Sequence, residues 1–293
     1  MIEDLLNIKL NNISEKIVRG SFTEKDNIPL KILVELLGTE KQLLLDEFLY
    51  NSVNHKNILA CRVLLQMGAR SHVVLKNVFN TALQVAIIHY DERIRIDKEI
   101  LECLLEYEMD INIPLMTAVF FGKIDVVKHL LENKTINVNS GVLQEGTPLH
   151  IAAKQDFVEI GKMLLEKGAA VNARDKNNNT ALHLSAQYAK TSTFINILLN
   201  FHADIHLVNN FDEMPLYIAT SYEHISSVQT LMRYGADPYQ KTKNKRKETF
   251  IYFLARLLKL NDYEQVIPGG MSFLSVRIIY YFRIVPLKKG KKL

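Results

Sequence analysis

The chain has 293 residues, of which 48% are hydrophobic and 23% charged, with two cysteines and no tryptophan. This composition supports a buried core and excludes disordered, collagenous and disulfide-framework proteins. The longest apolar stretch, Met271 to Phe282, is interrupted by Arg277 and is too short to span a bilayer. The N-terminus shows no secretory signal. We therefore expect a protein of the cytoplasm, or of the nucleus, without a membrane span.

The net charge of +4 is unevenly distributed along the chain. One short run holds five basic residues: Lys241, Lys243, Lys245, Arg246 and Lys247. A second run of lysines ends the sequence, and the rest of the chain is mildly acidic. Nucleic-acid binders usually present a basic stripe along a folded face, so nucleic acid is not expected as a partner. The first run is either a solvated loop or a nuclear-import patch.

The first 40 residues carry apolar side chains at helical spacing, from Leu5 to Ile17 and again from Leu30 to Leu37. This pattern predicts helices. We interpret residues 1–40 as an N-terminal helical cap or a degenerate repeat, because a regular repeat follows them.

A seven-residue motif recurs at intervals of 32 to 35 residues. Its copies begin at Thr81, Ile113, Thr147, Thr180, Met214 and Thr249, and a fainter copy begins near Glu47. A Leu-Leu pair follows the start of most copies at nearly the same distance along the chain. In several copies Gly-Ala comes shortly after this pair. At Leu104 the pair comes six residues late, which predicts an insertion between His89 and Lys98. Two landmarks in phase indicate internal repeats.

The clearest copy, from Val142 to Arg174, resembles the ankyrin repeat, whose signature is Thr-Pro-Leu-His-x-Ala-Ala, a Val-x-x-Leu-Leu helix and Gly-Ala-x-x-Asn. The resemblance covers Glu47 to Ala255, about seven-tenths of the chain. It implies an all-α solenoid of stacked helix-turn-helix repeats with short β-hairpin-like loops. We assign residues 41–267 to an ankyrin repeat domain of about six to seven repeats. Residues 268–293 then form a C-terminal cap or a tail with a basic end.

The chemistry of the residues in this copy also predicts such a fold, independently of the resemblance to a known family. Thr147 can cap a helix whose first turn suits Pro148. Gly168 is predicted to end the second helix in a left-handed conformation. Asp175 to Asn179 has the composition of an exposed turn, here at a hairpin tip. No single helix pair can bury its apolar face alone, so the repeats must stack.

The sequence contains no phosphate-binding loop, nucleophile elbow, metalloprotease helix or metal-ligand spacing. We therefore expect no enzymatic activity, cofactor or metal. Cys61 and Cys103 fall on core positions of second helices and are expected to be buried, inert thiols. His150 and His183 occupy the structural histidine position of the family, where the imidazole links neighbouring repeats.

The resemblance also implies a modification. Ankyrin repeats are substrates of an asparaginyl hydroxylase that favours an asparagine eight residues after a helix leucine. Asn112, Asn139 and Asn172 have this spacing. The alternative, that each asparagine simply forms a turn, is favoured.

In proteins that this chain resembles, hairpin tips and first helices line a concave face that usually binds protein. Tyr188, Phe211 and Tyr222 are the expected anchors, because aromatic residues dominate interface hot spots. The other candidates are polar or charged: Gln144, Lys154, Gln155, Lys176, Asn177, Asn179, Gln187, Asn210 and Glu213. For each residue the alternative is an ordinary surface position.

The sequence thus predicts a non-enzymatic scaffold for protein–protein interaction, a monomer with a protein partner and no small-molecule substrate. One alternative is a substrate-recognition adaptor of a cullin-type ubiquitin ligase, because Ser272 to Leu293 faintly resembles a SOCS box. That segment departs from the motif at Ile278, where cysteine is expected, and its distal part is truncated. Another alternative is a host-directed effector of a virus or intracellular bacterium, which a composition rich in Ile, Leu, Lys and Asn would suit.

Overall fold

The computed structural model describes most of the first four-fifths of the chain. The described residues are 2–36, 41–74, 80–107, 112–132, 136–141, 146–189 and 191–237. Gln144, the basic run Lys241–Lys247 and the C-terminal segment 268–293 lie outside them, so the predictions made for these residues stay predictions. None of the helices in the described ranges is long and apolar enough to cross a membrane.

The fold is all-α, and the chain divides into two compact units, Met1–Asn137 and Val138–Leu293. Unit 1 contains a short 3₁₀ turn at Glu24–Asp26 and these helices: α1 Ile2–Val18, α2 Asn27–Leu36, α3 Lys41–Asn54, α4 Ile58–Gln66, α5 Ala82–Ile88, α6 Arg95–Glu106, α7 Asn112–Phe120 and α8 Ile124–Leu131. Unit 2 contains α9 Pro148–Gln155, α10 Val158–Glu166, α11 Ala181–Tyr188, α12 Thr193–Asn200, α13 Pro215–Ser221 and α14 Ile225–Arg233.

The helices are arranged as stacked antiparallel pairs. In unit 1 the first helices α3, α5 and α7 pack in series, and the second helices α4 and α6 pack beside one another. In unit 2 the first helices α9, α11 and α13 form one layer, and the second helices α10, α12 and α14 form the other. Each unit is therefore a helical solenoid, in which a repeat buries its apolar faces only against its neighbours.

Second helices end in the same way in three repeats. Gly68, Gly168 and Gly235 follow α4, α10 and α14 with φ of +91°, +88° and +95°. Such values cost glycine nothing, whereas a β-carbon would be strained. The N–H of the next alanine then donates to a carbonyl five residues back, as Ala169 does to Leu164 at 3.0 Å. The left-handed end predicted at Gly168 is confirmed.

Both cysteines lie in the core of unit 1. Cys61 on α4 is fully buried, with its Sγ 3.0 Å from the Ser52 hydroxyl, and Cys103 on α6 is 3% exposed. Burial raises the pKa of the Cys61 thiol to about 12 and also raises the pKa of Cys103. A protonated, enclosed thiol is a poor nucleophile, so the prediction that these cysteines are buried and inert agrees with their surroundings.

Candidate protein-binding groove

Unit 2 carries a groove with a volume of about 520 Å³ that runs across three repeats. Its wall on one side is formed by the C-terminal ends of α9, α11 and α13, and its other wall by the two tips between them, around Asp175–Asn179 and Asn209–Glu213. The buried side chains of Leu184 and Ile218 lie at its floor. First-helix ends and tips therefore meet in one concavity.

The first tip is held in shape by Asp175. Its Oδ1 accepts hydrogen bonds from the backbone N–H groups of Asn177 and Asn179, both at 2.8 Å, and its Oδ2 accepts from Asn179 Nδ2 at 3.2 Å. Asn178, at the turn, has a φ of +58°, a conformation that asparagine tolerates better than most residues. The hydrogen bonds that the Asp175 carboxylate accepts thus hold the tip in one conformation.

The second tip repeats this construction with an amide. Asn209 Oδ1 accepts from the N–H groups of Phe211 at 2.9 Å and Glu213 at 3.0 Å. Its Nδ2 donates to Asn179 Oδ1 at 3.0 Å and to Glu213 Oε2 at 3.3 Å. The backbone of Phe211 is consequently fixed, although its side chain is 65% exposed.

The two tips are also bonded to each other. Asn210 N–H donates to the Asn177 carbonyl at 2.9 Å, and Asn210 Nδ2 donates to the Lys176 carbonyl at 3.2 Å. Asn178 Nδ2 donates to Asn210 Oδ1 at 2.6 Å. Because these bonds order the tips before any partner arrives, binding would require little further loss of conformational entropy.

Two buried histidines link each first helix to the following tip. His150 Nδ1 accepts from the Thr147 N–H at 3.1 Å, and its Nε2 donates to the Asn179 carbonyl at 3.0 Å. His183 repeats the pattern, with Thr180 N–H at 3.2 Å and the Glu213 carbonyl at 3.1 Å. Desolvation lowers the pKa of both rings, that of His183 to about 4. Both are therefore neutral scaffold residues, in the linking role that was predicted.

The three predicted aromatic anchors share the groove. Tyr188 ends α11, Tyr222 follows α13, and Phe211 stands on the tip between them. The two tyrosines are 45% and 52% exposed, and the Tyr222 hydroxyl accepts from Gln187 Nε2 at 2.7 Å. Large aromatic side chains that remain exposed around a concavity are typical of protein-binding surfaces.

Most of the other candidates also line the groove: Lys154, Lys176, Asn177, Asn179, Gln187 and Glu213. Gln155 is exposed but does not line it, and the Asn210 side chain is used between the tips. The groove adds four residues that sequence analysis did not propose for binding: Asp175, Leu184, Asn209 and Ile218. Ser221, a first-helix position of the predicted concave face, also lines it. Asn209 lies 34 residues after Asp175, so the repeat period itself is a signal that pairs them.

The asparagines considered for hydroxylation each bond to the next turn. Asn112 Oδ1 accepts from Asn137 N–H at 3.0 Å, and Asn139 Oδ1 accepts from Ala170 N–H at 2.7 Å. Asn172 Oδ1 likewise accepts from Asp204 N–H at 2.8 Å. This bonding gives all three a structural use, and their hydroxylation stays a prediction.

Comparison with known proteins agrees with this geometry. A family described as ankyrin repeats (3 copies) matches residues 95–175, 115–209 and 149–244, which together make up half of the chain. Stacked helix pairs with tips beside their first helices define a repeat solenoid built for binding. The chain belongs to the ankyrin repeat family.

The relatives share the repeats rather than a whole architecture. An ankyrin repeat protein of Fowlpox virus (strain NVSL) is 32% identical over 54% of this chain and 47% of its own length. Alpha-latrocrustotoxin-Lt1a of Latrodectus tredecimguttatus is 39% identical over 26% of this chain and 5% of its own. An ankyrin repeat and KH domain-containing protein of Caenorhabditis elegans is 33% identical over 45% and 5%. The chain thus spans less than half the length of these relatives.

Proposed function

We propose that this chain is a non-enzymatic binding module that holds a protein partner in the groove of unit 2. Ankyrin repeats are interaction modules, and the observation that supports this particular site is the exposure of Tyr188, Phe211 and Tyr222 around one concavity. The tips are already ordered by their own hydrogen bonds, so the groove offers a rigid surface. Lys154, Lys176, Asn177, Gln187 and Glu213 supply polar contacts around the aromatic anchors.

Replacing Tyr188, Phe211 and Tyr222 together by alanine is expected to weaken capture of the partner about 100-fold, since each buried aromatic anchor contributes more than 1 kcal/mol. The measurement is quantitative affinity capture with the full chain, read by mass spectrometry. A matched control replaces Tyr107 and Tyr234, which are 44% and 43% exposed and do not line the groove. A partner that is retained by the triple variant, or lost equally from the control, would exclude this groove as the binding site.

Two more specific proposals concern the biological setting. The adaptor proposal depends on Ser272–Leu293, outside the described residues, and truncation after Gly270 tests it: cullin-ligase components should disappear while the repeats stay folded. The proposal of a host-directed effector is supported by the Fowlpox virus relative. Animal proteins match comparable shares of this chain, 45% and 46%, so this similarity supports the repeat architecture more strongly than the source.

A further inference from the structure

One end of the groove combines three aromatic rings with a carboxylate. We propose that this end binds a cationic side chain of the protein partner, arginine in particular. The inference rests on the proposed function and states which chemical group of the partner the groove recognises. It follows from the rings, from Glu213 and from the order of charges along the groove.

The three rings lie around one cavity, and the Tyr222 ring has the His224 ring beside it, with centroids 6.1 Å apart. Tyr188, Phe211 and Tyr222 line the same cavity, and no two of these rings stack on each other within the part of the chain that the structure describes. Each ring face carries negative electrostatic potential, which attracts a cation held within about 6 Å. A planar guanidinium also stacks on aromatic faces and buries its apolar stem, so arginine uses such a space better than lysine does.

Glu213 supplies the countercharge beside these rings. Its carboxylate is half-buried, and Oε2 accepts one hydrogen bond, from the neutral amide of Asn209 at 3.3 Å. Its backbone is fixed by Asn209 Oδ1 and by the bond from His183. Within the part of the chain that the structure describes, no cation pairs with this anchored carboxylate, which suits it to a bidentate pair with guanidinium.

The helix ends add to the negative potential at this end. The last turn of α9 contains Lys154, whereas the last turns of α11 and α13 contain no basic residue. The terminal carbonyls of a helix carry partial negative charge that a cation stabilises. At the corresponding positions the chain has Gln187 and Ser221. The Ala186 carbonyl of α11 already accepts a hydrogen bond from His224 Nδ1 at 3.0 Å, so the end of α13 is the helix terminus that adds negative potential beside Glu213.

The two lysines of the groove lie at its other end. Lys154 and Lys176 belong to the repeat before Glu213, on the same side as Asp175. Among the described residues that line the groove, the lysines thus belong to the repeat of α9, whereas the carboxylate of Glu213 lies on the tip before α13. A partner with arginine among the aromatic rings matches this order, whereas an acidic side chain placed there would face Glu213.

The test compares two capped tripeptides of nearly the same shape: N-acetyl-Gly-Arg-Gly-amide, and the peptide in which citrulline, with a neutral urea group, replaces arginine. Binding to the full chain is followed by NMR through the ring signals of the tyrosines, assigned with Tyr188→Phe and Tyr222→Phe. We expect the arginine peptide to bind about tenfold more tightly than the citrulline peptide, through cation–π and carboxylate contacts. Glu213→Gln should remove most of the preference for the arginine peptide, whereas the matched control Glu159→Gln, at an exposed residue of α10 that does not line the groove, should change its affinity less than twofold.

Equal affinity for the two peptides, or an arginine preference that Glu213→Gln leaves unchanged, would overturn this inference. The proposed function fails separately. If capture of the protein partner still depends on Tyr188, Phe211 and Tyr222 while the peptides do not differ, the groove binds a partner by other chemistry. If capture of the protein partner does not depend on those aromatic residues, the proposed function itself is wrong.

Discussion

Replacing Phe194 by alanine is expected to lower the free energy of unfolding by about 4 kcal/mol. The Phe194 ring on α12 is completely buried. It lies directly over Gly161 of α10, where a β-carbon would come within 2.7 Å of ring atom Cε2 and closer still to Cζ. The alanine variant would leave a cavity between two second helices, because the backbone of a stacked repeat cannot collapse fully into it. Urea unfolding followed by circular dichroism measures the loss.

The complementary variant Gly161→Ala separates packing from helix propensity. Alanine is the better helix former by about 1 kcal/mol, so on propensity alone this change would stabilise α10. We expect destabilisation instead, since the new methyl group would overlap the Phe194 ring. Adding Phe194→Leu should recover part of the loss, which a double-mutant cycle detects. A Gly161→Ala variant more stable than the parent would contradict this contact, and Glu159→Ala on the exposed face of α10 serves as the control.

Acidification from pH 7 to pH 4 is expected to remove about 3 kcal/mol of stability through His183 alone. Burial lowers the pKa of the folded ring to about 4, below the 6.5 of an unperturbed histidine. The unfolded chain therefore takes up a proton first as the pH falls, so the stabilisation is complete above pH 6.5 and is lost progressively towards pH 4. The structural reason is that Nδ1 must accept the Thr180 N–H, which a protonated ring cannot do. The pKa of His150 is also lowered in the folded protein, so His150 adds to the loss of stability on acidification.

The variant His183→Gln isolates this contribution. It should be less stable than the parent by about 2 kcal/mol at pH 7, because the bonds to Thr180 and Glu213 are weakened. Its stability should then decline less between pH 7 and pH 4.5. The measurement is urea unfolding of both proteins at several values of pH. Parallel declines in the two proteins would show that His183 does not titrate on unfolding.

Much of the fold could be predicted because its determinants are local and periodic. Thr147 and Pro148 mark the start of α9, and Gly168 ends the repeat with a positive φ, as the motif indicated. The linking role of His150 and His183 follows from the same signature. Each of these features depends on residues within one repeat or on residues that are one repeat length apart. Both relations can be recognised in a single sequence.

The parts that could not be predicted depend on contacts between repeats. Nothing in the residue types shows that the Gly161 backbone is in contact with a phenylalanine 33 positions later. Likewise, Asn210 looks like a surface amide, but its side chain joins two tips. Asparagine can bond to a partner, to its own turn or to a neighbouring turn with equal ease, so the sequence alone does not choose among these uses.

The most direct test of the binding groove is site-specific photo-crosslinking from its rim. Position 211 would carry p-benzoylphenylalanine, which closely resembles the native Phe211. A second protein would carry it at position 107, where Tyr107 is exposed and does not line the groove. We predict that the partner captured by the full chain crosslinks from position 211 and not from position 107. A partner that crosslinks only from position 107, or from both positions equally, would contradict binding in this groove.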